Sequence, residues 1–171
     1  MSDQSLKGRV WKFGAEMSTD LMLPNYVNNG SEEEQARVVF AANRPGWVDL
    51  VQTGDIIVGG LNFGTGSSRP AARSLRNVGI RCLVAENING LFLRNCVNFG
   101  LPAFECPGVS EIFEEGQTAE IFLDRCLIRN ATTGAELHGL PIPAELMTLM
   151  TGGGLYPSMQ KQGLIEPAWG K

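Results

Sequence analysis

Ser67, Ser68 and Arg69 stand in direct succession, after Gly64, Thr65 and Gly66 and before Pro70. Hydroxyls beside a guanidinium suit work on a carboxylate. The planar fork of arginine binds a carboxylate through two parallel hydrogen bonds, which lysine does not match, and a hydroxyl is left free for proton transfer. The flanks read as a buried strand before the loop and a helix after it, so the loop is expected at a helix N-terminus. Gly64 and Gly66 let the backbone turn sharply there and approach a ligand closely. Ser68 is placed to cap the helix and Pro70 to occupy its first turn, with the amides of residues 66–69 pointing outward at the positive end of the helix dipole. That arrangement binds anions. Two other readings compete: a nucleotide loop, and a plain capped helix with an exposed arginine. Against the first, GTGSSR lacks the third glycine of G-x-G-x-x-G and no phosphate-binding lysine follows it.

The rest of the chain offers few alternatives for chemistry. Its 171 residues carry 14 basic and 18 acidic side chains, a formal net charge of −4, so no basic field exists to hold a nucleic acid backbone against salt. No apolar run approaches the roughly 20 residues of a spanning helix, and the N-terminus has no apolar core of signal-peptide type. No membrane or nucleic acid partner is expected, and the location expected is cytoplasmic. Cys82, Cys96, Cys106 and Cys126 are widely spaced without a CxxC pair, and His138 is the one histidine. They read as buried small hydrophobes, not ligands, so no metal site is expected on this chain. His138 reads as a solvated residue in a polar turn, Glu32, Glu33 and Glu34 as a solvated first helical turn, Arg94 as structural, and Arg37 and Arg44 as surface residues near a segment that could face a ligand.

Apolar spacing supplies the elements that would position the loop. KGRVWKF (residues 7–13) alternates as a first strand, and Pro24 ends regular structure after MSTDLML. A helix starts at Ser31 and stops at Arg44, Pro45 and Gly46, inside a long polar excursion. DIIVGGL is a continuous apolar run, as a fully buried strand shows. Strand, glycine-rich turn, helix and a second buried strand from Ile80 to Ala85 then make a β-α-β crossover. Residues 87–98 read as a helix, LPAFEC as a strand, and AEIFLDRCLIRN as one half-exposed strand; Pro143 opens a last helix that ends in glycines. The expected class is α/β, in one domain over 1–171.

The residues NFGTGSSR, with GDIIVGG before them and IRCLVAENINGLFLRNCVNFGLP after, resemble the small subunit of 3-isopropylmalate dehydratase and the mobile domain of aconitase. STDLMLP resembles the family's Asp-Thr-Asp motif through Ser18, Thr19, Asp20, Met22, Leu23 and Pro24, departing at the first position. TTGAELHGLPIPAELMTLMTGGGLYP looks like the family's ending. The common run Gly-Cys-Gly-Ser-Ser-Arg-Glu-His-Ala differs here at Thr65, Pro70 and Ala71.

The resemblance implies a swivelling α/β domain, a mixed sheet with flanking helices. It also implies a hydro-lyase small subunit that moves a hydroxyl between adjacent carbons of a hydroxy acid. The implied enzyme is a 3-isopropylmalate dehydratase of leucine biosynthesis, or a close paralogue acting on a methyl-substituted malate. A [4Fe-4S] cluster is implied on a partner large subunit, as Lewis acid for the leaving hydroxyl. By motif position Ser67 matches the base and Asp20 an acid near the reacting centre. Ser68 and Arg69, with Gly66 and Thr65, match the groups around the substrate carboxylate. A serine is a poor base at neutral pH, so neighbouring positive charge and helix amides must favour its alkoxide. The segment Asn25–Asn29, NYVNN, follows the STD motif where related enzymes face the variable group of the acid. It carries no arginine, and Tyr26 and Val27 suit an apolar branch. The rival from another class is a noncatalytic small-acid-binding regulatory module.

Overall fold

A computed structural model describes residues 5–66 and 69–166. Its first half is built from parallel strands, β1 (Leu6–Lys12), β2 (Ile56–Gly59), β3 (Cys82–Ala85) and β4 (Ala103–Glu105). β2 and β3 are buried at every position, which explains their unbroken apolar sequence. β1 pairs with β2, β2 with β3 and β3 with β4, all in parallel. The crossovers carry α1 (Thr19–Met22), α2 (Glu32–Ala36) and α3 (Trp47–Leu50), then α4 (Ala71–Asn77), then α5 (Gly90–Phe99). In the second half α6 (Val109–Ile112) precedes β5 (Thr118–Phe122), β6 (Leu127–Asn130) and β7 (Glu136–His138), which add antiparallel to the other side of β1. The result is one mixed seven-stranded sheet, ordered β4-β3-β2-β1-β5-β6-β7. α7 (Ala144–Thr151) and α8 (Leu155–Lys161) close the chain.

Alternation along the strands divides the interior into two cores. Trp11, Ile57 and Leu83 face Leu75 of α4 and Phe92 and Cys96 of α5. Val10, Ile56, Val58, Cys82 and Val84 face Val109 and Phe113 with the inner side of β5 and β6. Phe13 and Phe40 stack at 4.2 Å, with Trp47 edge-on to Phe40 at 4.9 Å. These rings pin the long excursion between β1 and β2 to the sheet, each fully buried ring contributing about 1.5–3 kcal/mol.

Several local expectations are corrected. AEIFLDRCLIRN is two strands, because Leu123–Arg125 form a 3-10 turn and Cys126 takes φ +46, folding β6 back on β5. His138 lies in edge strand β7 opposite Leu127, not in a turn. The helix from Ser31 ends at Ala36, four residues before Phe40 adopts φ +57 and turns the chain inward. Its start is as expected: Ser31 Oγ accepts from the Glu34 amide and Glu34 Oε2 accepts from the Ser31 amide. That hydrogen bond from the Ser31 backbone holds the Glu34 carboxyl below its ordinary range.

Candidate active site

The glycine-rich loop runs on from the C-terminal end of β2, and its neighbours are the residues that run on from β1 and β3. The Gly64 amide donates to Met17 O at 2.7 Å and the Thr19 amide to Thr65 O at 2.7 Å. On the other side the Phe63 amide donates to Asn87 O and the Asn89 amide to Phe63 O. The loop and the STD motif are thus stitched together at the end of the parallel strands, where open α/β sheets bind ligands. Close approach demands the glycines. Gly64 has φ +86, and a Cβ there would lie 2.3 Å from the Phe92 ring; Gly66 has φ +89, and its Cβ would lie 2.7 Å from Thr19 Oγ1.

Ser18 caps α1, its Oγ accepting from the Leu21 amide at 3.3 Å. A serine in place of the family's aspartate therefore keeps a good N-cap, and it sets Asp20 in the first turn. Arg69 reaches this turn from the far side of the loop. Its Nε lies 2.7 Å from Asp20 Oδ1, and its Nη1 donates to Leu23 O at 2.5 Å. The Asp20 contact falls outside the Nε–H direction and is an ion pair rather than a hydrogen bond. Arg69 is 12% exposed and Asp20 68%, so the ion pair adds less than ~1 kcal/mol. The charged hydrogen bond to Leu23 O is worth about 1.5–3 kcal/mol and is the stronger hold on the guanidinium. Among the described residues, the second η nitrogen takes no hydrogen bond, which leaves one prong of the fork for a ligand oxygen.

Of the positions singled out in the sequence, the structure brings together Asp20, Thr65, Gly66 and Arg69. Ser67 and Ser68 lie outside the described residues, between Gly66 and Arg69. The helix after them starts at Ala71, with Pro70 at the N-cap and no side-chain cap. This is later than a cap at Ser68 would give, because a residue before proline is driven out of the helical region and Arg69 cannot join the helix. Thr19 was not foreseen as a site residue. It is 2% exposed, and its Oγ1, buried against Gly66, has no hydrogen-bond partner among the described residues. Neither was the Leu23 carbonyl, which no side-chain pattern reveals.

Other candidates lie away from the site or serve the scaffold. Arg44 pairs with Glu115 at 2.8 Å and covers the Trp11 and Phe13 rings. Arg94 and His138 are exposed. Glu32 pairs with Arg73 and accepts from Asn77. Arg37 is exposed and lines an open pocket of about 560 Å³ with Tyr26, Val27 and Asn29. The cysteines do not fit an iron–sulfur cluster: Cys96 packs in one core, and Cys82, Cys106 and Cys126 in the core on the opposite face of the sheet. Burial pushes the Cys106 thiol up to about 11 and the Cys82 and Cys96 thiols higher still, away from the thiolate a cluster requires. Among the described residues no three His, Cys, Asp or Glu side chains gather as metal ligands.

Comparison with known proteins places the fold in a family. The family model of the aconitase C-terminal domain matches residues 11–107. The chain belongs to this family. The isopropylmalate/citramalate isomerase small subunit of Methanocaldococcus jannaschii is 44% identical over 159 residues, which cover 92% of this chain and 95% of that protein. The 3-isopropylmalate dehydratase small subunit 1 of Methanopyrus kandleri is 39% identical over 92% of this chain and 94% of its own length. A crystal structure of 3-isopropylmalate dehydratase from Methanocaldococcus jannaschii aligns with a TM-score of 0.86 at 29% identity, covering 98% of this chain and all of that one. Within the family, then, its relatives are small subunits of a hydro-lyase, which supports the hydro-lyase reading over the noncatalytic acid-binding module.

Proposed function

We propose that this chain is the substrate-anchoring half of a two-chain hydro-lyase, in which a large subunit carries the [4Fe-4S] cluster. Its own task is to bind a substrate carboxylate and remove the neighbouring proton. The observation that carries the reading is the clamp of Arg69 between Asp20 and Leu23 O, which holds the guanidinium at the strand ends and, among the described residues, leaves one prong over. Arg69 takes the carboxylate, and Ser67, two residues before it, takes the proton from the adjacent carbon. Positive charge from Arg69 favours the serine alkoxide that this step needs. Asp20 pairs with the guanidinium and is the acid of this site. The four free thiols suit a reducing cytoplasmic compartment.

The substrate assigned is an alkyl-substituted malate, 3-isopropylmalate first and a methyl-substituted malate next. Support comes from Tyr26 and Val27 in the segment after the STD motif, and from Arg44, which its ion pair with Glu115 holds away from that segment. Tyr26 and Val27 offer apolar surface to a branched alkyl group, while Arg37, which lines the same pocket, is the cation that a further carboxylate would use. The test is kcat/KM of the reconstituted complex on isopropylmalate, methylmalate, dimethylmalate, homocitrate and citrate under one condition. At least tenfold preference for the alkyl malates is expected. Preference for the tricarboxylic acids would overturn the substrate assignment.

A further inference from the structure

Gln35 is a glutamine in a place that ordinary packing would give to an apolar side chain. It lies on the inner side of α2 and is 1% exposed. A buried amide is costly unless its hydrogen bonds are made, and here they are made to an unusual set of partners. Nε2 donates to Val27 O at 3.1 Å, Asn28 O at 3.2 Å and Gly30 O at 3.2 Å, three carbonyls of one short segment converging on one nitrogen. Oε1 accepts from Arg73 Nη2 at 3.0 Å. Arg73 belongs to α4, the helix that begins just after Arg69, and is itself held by Glu32 at 3.4 Å and by the face of Phe99.

The segment that Gln35 grips has little regular structure of its own. Asn25–Val27 form a single 3-10 turn, and the Gly30 amide closes a further turn onto Val27 O. Tyr26 on this turn is 77% exposed, so its ring does not anchor the segment. Upstream, Leu23 O is bound by Arg69; downstream, the three carbonyls are bound through Gln35 to Arg73. Both ends are thereby referenced to the start of the same helix.

We infer that Gln35 is a positioning residue for substrate selection: through Arg73 it holds Asn25–Gly30 at a fixed setting relative to Arg69, and so sets how sharply substituted malates are sorted. This rests on the reading that the segment faces the variable group of the acid. The hydrogen bonds of Gln35 among the described residues go to Val27, Asn28, Gly30 and Arg73, not to Asp20 or Arg69. Its loss frees the segment and leaves the carboxylate clamp in place.

The test replaces Gln35→Met, which keeps length and removes the amide, in the full chain assembled with its large subunit. The readout is the ratio of kcat/KM for isopropylmalate over methylmalate, measured on one preparation, so that the fraction of folded enzyme cancels. A pocket that discriminates by methylenes works in steps of about 10–200-fold, and the ratio is expected to fall about tenfold, chiefly through KM. Arg73→Met is the second variant; it leaves the amide on its carbonyls but detaches them from α4, and it should lower the ratio by a smaller factor. Should Gln35→Met not fold, Arg73→Met decides. Hydrogen exchange of the free full-length chain supplies a reading without activity: the Asn28 and Gly30 amides should exchange faster in Gln35→Met, while those of Thr19 and Gly64 keep their protection. A ratio within twofold of wild type together with unchanged exchange would overturn the inference. A wild-type complex inactive on every malate would refute the proposed function instead, and the exchange data would still test the latch.

Discussion

Replacing Arg69→Lys separates substrate binding from scaffold. Among the described residues the guanidinium makes two polar contacts, to Leu23 O and Asp20 Oδ1, which leaves a further prong. A lysine has one nitrogen at the end of a flexible stem and cannot serve all three. Leu23 is fully buried, and a carbonyl left without a donor costs about 1–3 kcal/mol, so the ammonium should settle on Leu23 O. It then forfeits the exposed ion pair to Asp20, worth less than ~1 kcal/mol, and the substrate prong, worth about 1.5–3 kcal/mol as a charged hydrogen bond. Thermal unfolding of the variant should therefore shift by no more than about 2–4 °C. Its kcat/KM should fall roughly 10–150-fold, mostly in KM, followed by the absorbance of the unsaturated acid. An unchanged KM would refute the placement of Arg69 on the carboxylate. So would a collapse of folding with normal kinetics in the surviving fraction.

The other expected outcomes address the base, the loop and pH. Ser67→Ala should abolish turnover while isothermal titration finds substrate affinity within a few fold, as when proton transfer alone is lost; substantial turnover would move the base elsewhere. Gly66→Ala forces a Cβ to 2.7 Å from Thr19 Oγ1 at φ +89, costing about 2–4 kcal/mol in strain and overlap, and a wild-type melting temperature would show the loop to be less tightly fitted. Burial opposes ionisation of Glu86, but hydrogen bonds from the Ser110 hydroxyl and the Gly108 and Ser110 amides outweigh it and hold its carboxyl below 4.5. Its contribution to stability is thus present above the ordinary carboxylate range and lost as pH falls through the lowered value. Glu86→Gln should then be less stable than wild type at pH 7, and the gap should narrow as the solution is acidified below the ordinary carboxylate range; a gap independent of pH would count against this.

Much of the scaffold was legible because its physics is local. Strands covered on both faces are apolar throughout, and β2 and β3 show it; Ser31 marks the start of α2 by its type and place before the acidic turn. The misread strand shows where locality ends. Alternation continues across Leu123–Arg125, and the reversal depends on Cys126 in a left-handed conformation, for which no glycine or asparagine gave a signal. Pro70 carries a signal of its own, since it bars Arg69 from the helix and so takes the N-cap rather than the first turn. Asp20 and Arg69 were named through the motifs they belong to, while their pairing came from the sheet, which sets the ends of β1 and β2 side by side. Gln35 was not legible at all: it follows three glutamates, and its partners are backbone carbonyls and an arginine on a later helix.

The central claim is that this chain anchors the substrate for chemistry completed by a second chain. It is tested most directly by mixing the purified chain anaerobically with its cluster-bearing large subunit and following formation of the unsaturated acid from 3-isopropylmalate. The expected result is turnover in the mixture and none from either chain alone. Turnover by this chain alone and free of metal, or a stable complex that dehydrates no substituted malate, would contradict it.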